Sequence, residues 1–283
     1  MIDRSQSISN PDLSRLRTLI HTQAGINLGA DRKTMLELRL RPRLRELELN
    51  SYGEYCEYLF SGQGQKQEMV HLLDAITTNK TDFFREPGHF DYLTKKALPE
   101  MMKGNANGRP LVVWSAGCSS GQEPYTLTIV LSEYAKAHPG FRFKVLATDL
   151  CTTVLEKANL AIFDSEVVEP VPIELRRRYF LRSRDRASNL LRVVRELRDF
   201  VEFRRLNFMD SDYGLTEKAD ILFCRNVIIY FDRPTQEQIL QKLAQQLVPG
   251  GYAFLGHSET LHGLDVPLTP SGPAVYRKAH ARS

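Results

Sequence analysis

Over roughly the first 95 residues, apolar side chains recur every three or four positions, which predicts helices packed through one face each. Leu13, Leu16 and Ile20 share a face between Asn10-Pro11, read as a helix start, and Gly25, read as its end. A second helix, predicted to be capped by Asp31, carries Met35, Leu36, Leu40, Leu44 and Leu47, and Pro42 inside it predicts a kink or a split. Ser51 followed by Glu54 reads as a capping box for a third helix ending near Phe60. The stretch SGQGQ (61–65) reads as a loop, and Lys66 to Ile76 as a fourth helix.

From about residue 108 the pattern changes. Short apolar runs predict strands at 111–116, 142–148, 201–206, 219–225 and 251–256, with helices at 122–137, 152–160 and 234–247. Strands alternating with helices predict an α/β fold around a mostly parallel sheet. The interval 163–200 breaks the rhythm. It holds the turn VEPVP (168–172), a short helix at 173–179, and two strand-like arms around SRDRASN (183–189), which predicts a small antiparallel insertion. Pro249-Gly250-Gly251 reads as a turn before the last strand. The expected division is an all-helical domain at 1–95 and an α/β domain at 96–283.

A chain of 283 residues can bury a substantial core, and 42% hydrophobic with 25% charged residues is ordinary for a soluble globular protein. A net charge of +4 is too small to point to nucleic acid. The N-terminal MIDRSQSISN is polar, unlike a signal peptide, and no apolar run reaches membrane-spanning length. Four cysteines without C-x-x-C spacing and seven histidines without H-E-x-x-H predict neither a disulfide framework nor a metal site, and suit a reducing cytoplasm. The second helix is strongly basic, with Arg32, Lys33, Arg39, Arg41, Arg43 and Arg45 against Glu37, Glu46 and Glu48. That pattern fits either a solvated face with local ion pairs or a surface for an acidic partner.

Candidate chemistry concentrates at LVVWSAGCSSGQEP (111–124), a strand followed by a small-residue turn with Gly117 and Gly121. The strand predicted at 142–148 is followed by Asp149, and an acid at that sheet edge suits ribose hydroxyls. The spacing G-x-x-x-G is not the dinucleotide pattern G-x-G-x-x-G, and no G-K-[ST] of a P-loop is present. A nucleoside ligand without a pyrophosphate, such as an adenosyl sulfonium, and an ordinary glycine turn both remain open at this point.

Five segments in order settle a resemblance: TTNKTDFFRE (77–86), WSAGCSSGQEPY (114–125), ATDL (147–150), ILFCRNVIIYF (221–231) and GHSE (256–259). Together they closely resemble the CheR family, chemotaxis receptor glutamate methyltransferases that use S-adenosylmethionine, over nearly the whole chain. The resemblance implies a Rossmann-like class I S-adenosylmethionine-dependent methyltransferase sheet, an all-helical N-terminal domain and a small antiparallel β-subdomain inserted at about 163–200. It implies cofactor contacts from Asn79, Thr81, Arg85, Glu123, Asp149, Asn207, Phe208, Asn226 and Val227, with Arg85 and Tyr230 as the catalytic pair. Phe83, Phe84, Cys118, Cys151, Cys224 and His257 are read as structural.

The implied reaction needs little acid–base machinery. A glutamate carboxylate, with an ordinary pKa near 4.3, is already ionised at neutral pH, so no proton has to leave before it attacks a methyl group. Positioning dominates, and alignment of this kind is worth on the order of 7–11 kcal/mol. Arg85 would orient the incoming carboxylate and Tyr230 the carboxylate or the sulfonium. The implied partner is the acidic cytoplasmic helical bundle of chemoreceptors, which makes Arg39, Arg41, Arg43 and Arg45 the docking candidates. Family members that tether to a receptor C-terminal pentapeptide carry a glycine-rich turn in the β-subdomain. SRDRASN has no glycine, which predicts weak or absent tethering. The chain is expected to be a monomer, cytoplasmic and recruited to membrane receptor arrays, without inserting into the membrane or binding nucleic acid. A regulatory adaptor protein is left open. The rival readings are a methyltransferase for another substrate and a regulator that only binds the cofactor.

Overall fold

The computed structural model describes residues 7–104, 108–185 and 187–279. Four helices open the chain: α1 (Asn10–Ala24), α2 (Lys33–Glu46), α3 (Tyr52–Leu59) and α4 (Gly62–Ile76). They bury their own core, with Leu16, Ile20, Leu36, Leu40, Leu44 and Leu72 fully enclosed. Ser9, not Asn10, caps α1, its hydroxyl accepting the Asp12 N–H at 3.2 Å. Asp31 caps nothing. It lies in a 3₁₀ turn (30–32) that runs into α2.

Pro42 does not split α2, which is continuous through it. Pro42 and Leu38, four residues earlier, both lie on the exposed face, where water can reach the carbonyl that loses its helical donor. SGQGQ is not a loop either. Ser61 accepts the Gly64 N–H at 3.0 Å and starts α4 at once. The capping box at Ser51 is half formed: its hydroxyl accepts the Glu54 N–H, while the Glu54 carboxylate turns to the N–H of Asn50.

A helical run follows that the sequence pattern missed, α5 (Gly88–Tyr92) and α6 (Leu98–Gly104), joined by a single π turn at 93–97. Phe90, Leu93, Ala97 and Leu98 pack on the sheet, not on the first four helices. The sheet is built from β1 (Leu111–Ala116), β2 (Phe143–Asp149), β6 (Val201–Arg205), β7 (Ala219–Cys224) and β8 (Leu247–Leu255), with a C-terminal hairpin of β9 (Leu268–Gly272) and β10 (Val275–Lys278). Its order is β6-β2-β1-β7-β8-β10-β9, parallel from β6 to β8 and antiparallel beyond.

Helices α7 (Gln122–Ala137) and α8 (Thr152–Leu160) follow β1 and β2, and α11 (Arg233–Gln245) precedes β8. β1 is buried on both faces, so its side chains alternate between two cores. Trp114 and Ala116 face the one that holds α11, Leu111 and Val113 the one that holds α5, α6 and α7. The inserted subdomain carries β3 (Ile162–Asp164), α9 (Ile173–Tyr179), β4 (Phe180–Arg182), β5 (Leu190–Val193) and α10 (Arg195–Arg198), with an antiparallel sheet in the order β3-β5-β4. Arg186, between β4 and β5 in the sequence, lies outside the described residues.

Pro249-Gly250-Gly251 is not a turn before the strand but part of it. Pairing with β7 starts at Ala219↔Leu247 and shifts register before Ile221↔Tyr252, with Gly250 at φ 77° in the irregular stretch. The bulge takes up the extra residues of β8, the glycines among them, and regular pairing resumes at Tyr252.

Candidate active site

At the C-terminal end of β1 the chain reverses sharply. Gly117 sits at φ 83° and Gly121 at φ 98°, in left-handed backbone that favours glycine. The N–H groups of Gly117 and Cys118 both donate to Thr148 O, at 2.7 and 2.9 Å, so this turn is fastened to the end of β2. A Cβ on Gly117 would stand 2.5 Å from Val227 Cγ2. Asp149 holds the same turn from the side. One carboxylate oxygen accepts the Ser119 N–H at 2.8 Å, the other the Cys151 N–H at 2.9 Å. Burial pushes its pKa up, against the pull of those backbone donors. Glu123, on the first turn of α7, accepts the Ser115 hydroxyl at 2.7 Å and faces Arg225 Nη1 at 3.5 Å, and burial pushes its pKa up as well.

The TTNKTDFFRE segment leaves α4 and crosses the mouth of this sheet end. Arg39 anchors its start, donating to the carbonyls of Ile76 and Thr77 and to the Thr78 hydroxyl. Ser119 Oγ donates to Asn79 O at 2.8 Å, tying the segment to the glycine turn. Phe84 (φ 53°) and Glu86 (φ 56°) are left-handed on either side of Arg85, local strain that the surroundings must hold in place. Phe83 supplies one hold, buried edge-on against Phe163 and Phe180. The Phe84 N–H supplies another, donating to Thr126 Oγ1 at 3.1 Å.

Behind Arg85 lies Arg225, whose side chain is 2% exposed. Its guanidinium donates to Arg85 O, faces Glu86 at 3.4 Å and stands over the Phe90 ring at 5.6 Å. Burial raises the Glu86 pKa, but Arg225 and the His257 N–H outweigh it and hold the group below its ordinary value. His89, buried beside them, is lowered to about 4 by burial and by Arg225, so it is neutral at pH 7. Glu86, His89 and His257 have donor atoms within 4.8 Å of one another. Arg225 faces the same Glu86 oxygen, so a cation there would meet a fixed positive charge.

After β7 the chain makes a second turn, with Asn226 at φ 57° and a single 3₁₀ turn at 228–230 ending in Tyr230. The helical domain reaches this turn. The Asn27 N–H donates to Tyr230 O at 2.8 Å, and Ile26 bridges Phe231. Asn207 Nδ2 donates to Gln23 O at 2.6 Å across the same seam.

These turns enclose a cavity of about 220 Å³. Of the residues expected at the cofactor, Asn79, Thr81, Arg85, Glu123 and Asp149 line it, and so do Asn207, Phe208, Asn226 and Val227. Tyr230, 36% exposed, lines it with Arg85. Arg225 and a wall from the helical domain, including Asn27, Arg32 and Met35, line it too, beyond the residues expected from the sequence. Arg225 stood inside a quoted motif, whereas nothing in the pattern of α1 and α2 signalled a lining role.

The basic helix divides. Arg39 and Arg43 turn inward, Arg43 onto Glu46 and the buried Glu68. Arg41 and Arg45 are exposed, on the same face as Leu38, which is 56% exposed. Cys118, Cys151 and Cys224 are buried free thiols, as expected of structural residues.

Residues 79–272 match the model of the CheR methyltransferase, SAM binding domain, and residues 11–77 that of the CheR methyltransferase, all-alpha domain. The chain belongs to the CheR family. It is 36% identical over 275 residues to a chemotaxis protein methyltransferase of Borreliella burgdorferi, covering 96% of this chain and 95% of that protein. A chemotaxis protein methyltransferase of Escherichia coli K12 is 37% identical over 270 residues, at 95% and 91%. Among solved structures, the DszA carbon methyltransferase is 18% identical with a TM-score of 0.37, covering 86% of this chain and 50% of that one.

The cofactor of this CheR chain is therefore S-adenosylmethionine. The site suits it. The bare Gly117 leaves a cradle that a Cβ would close, and Asp149 is fixed through backbone donors that leave carboxylate lone pairs available. No pyrophosphate-binding basic residue lies in the glycine turn. Among the described residues no helix is long and apolar enough to cross a membrane.

Proposed function

We propose that this enzyme is a protein-glutamate O-methyltransferase, forming methyl esters on glutamate side chains of chemoreceptors for chemotactic adaptation. The observation that carries this reading is the meeting of Arg85 and Tyr230 in one cavity with Asp149 and Glu123. When bound, the cofactor supplies an electrophilic methyl group on a sulfonium. The chain supplies the rest. Arg85 presents a cation to the substrate carboxylate, and its own carbonyl is held by Arg225, so its backbone cannot drift. Tyr230 offers a hydroxyl at the cavity rim with its carbonyl pinned by Asn27. The substrate is already anionic, so the buried acids serve binding and shape instead of proton transfer.

Incubating the protein with radiolabelled S-adenosylmethionine and receptor-containing membranes tests this. Label that mild base releases as methanol is the expected result, and base-stable label would sink the carboxylate assignment.

For docking we favour the outer face of α2, where Leu38, Arg41 and Arg45 present a basic, partly apolar strip to an acidic helical bundle. Arg39 and Arg43 serve internal contacts and contribute to that surface only through the helix they hold. The Arg41→Glu, Arg45→Glu pair should raise KM for receptor by about tenfold at low salt and leave cofactor affinity unchanged. Unaltered receptor methylation would remove the strip from consideration. The β4–β5 turn carries no glycine, so calorimetry with a receptor C-terminal pentapeptide is expected to give weak or no binding, and micromolar binding would overturn that. We place the enzyme's work, as a monomer, on the cytoplasmic side of receptor arrays.

A further inference from the structure

The turns after β7 and β8 meet at one buried carboxylate. Glu259 Oε2 accepts the N–H groups of Gly256 at 2.6 Å and Asn226 at 2.9 Å. Glu259 Oε1 accepts those of Val227 at 2.8 Å and Ile228 at 2.9 Å. Three successive amides, Asn226 to Ile228, therefore converge on an anion that the chain itself provides, in the manner of a backbone nest. Such convergence needs Asn226 left-handed at φ 57°, a conformation that asparagine tolerates better than most non-glycine residues.

We propose that Glu259 is a positioning residue for cofactor binding, an internal counter-anion that folds the 226–230 turn into its working shape. It touches neither the cavity nor, in this reading, the reacting atoms, and is not among the lining residues. It acts through Asn226 and Val227, which do line the cavity, and through Tyr230, one 3₁₀ turn further on. The inference rests on the cofactor roles proposed for Asn226, Val227 and Tyr230.

Two details make the requirement specific to a carboxylate. A glutamine has one acceptor oxygen, and its NH₂ would face backbone donors. The space is also tight, since a Cβ on Gly256 would stand 2.5 Å from Asn226 Nδ2 and 2.8 Å from Asn226 N.

The experiment uses the full chain and measures the dissociation constant of S-adenosylhomocysteine by calorimetry, alongside thermal unfolding. Glu259→Gln should weaken binding by about tenfold or more, as expected when charge-assisted hydrogen bonds are lost. Glu259→Ala should weaken it further, and sodium formate should recover at least about threefold of that loss by filling the emptied nest. Formate should leave wild-type and Asn226→Ala protein unaffected. A folded Glu259→Gln protein that binds within about twofold of wild type would overturn the proposal. So would a folded Glu259→Ala protein that formate does not rescue. If Glu259→Ala does not fold, the glutamine variant alone decides. Asn226→Ala separates the two layers: wild-type affinity in that variant defeats the role given to Asn226, whereas the Glu259 variants test the anion.

Discussion

The turns after β1 and after β7 face the same cavity and are built by different means. The first is shaped from within. Gly117 and Gly121 supply the positive φ angles, and Thr148, at the end of the neighbouring strand, takes its N–H groups. The second has no glycine and places Asn226 in left-handed backbone, held by Glu259 some thirty residues on and by Asn27 some two hundred back. A turn of the first kind can be found in a sequence by its glycines. One of the second kind is fixed by partners whose distance along the chain hides them.

The contrast can be broken by substitution. Gly117→Ala should have the largest effect, adding a Cβ at φ 83° and 2.5 Å from Val227. Strain and displacement together should cost about 2–3 kcal/mol, seen as a lower urea midpoint and a large loss of cofactor affinity. An affinity near wild type would mean that the first turn yields as readily as the second.

Acid should act next, and on the second turn's surroundings. His89 falls to about 4 in the folded protein from an ordinary 6.5, so between those values the unfolded chain binds the extra proton. Stability from this group is complete above about pH 6.5 and is lost as pH falls toward 4. Across that window wild type should lose stability more steeply with falling pH than His89→Phe, which lacks the titrating group. Parallel acid limbs would refute the assignment to His89.

The smallest effect is expected from Asn207→Ala. It removes the hydrogen bond to Gln23 O and the one Asn207 Oδ1 accepts from the Met209 N–H, and should cost about 1 kcal/mol, roughly a fivefold change in an equilibrium constant. Cofactor calorimetry and urea unfolding would show whether that loss falls on the seam or on the whole fold.

The same contrast explains what the sequence made legible. β1, α7 and α8 match their predicted bounds, because buried apolar runs and strong periodicity are local signals. Every residue expected at the cofactor lies at one cavity, yet nothing local in GHSE marks its last letter, Glu259, as the anion that holds a turn. Its four partners come from two different turns, and no spacing encodes that. Arg39 and Arg43 looked like surface charge because arginine in a helical pattern carries no sign of which way it points. Pro249-Gly250-Gly251 looked like a turn because the pairing of β7 with β8 that pulls it into the sheet is not a local property.

The bridge between Ile26 and Phe231, with Asn27 bonded to the carbonyl of Tyr230, joins the helical domain to the backbone of the proposed catalytic tyrosine. In thermodynamic terms the two binding events share a joint. If loading of the cavity stiffens that joint, the helical domain engages its partner with altered affinity, and linkage requires the partner to alter cofactor affinity by the same factor. Measuring one coupling constant would then fix the other, and under that condition the partner would be an effector of the enzyme as well as its substrate.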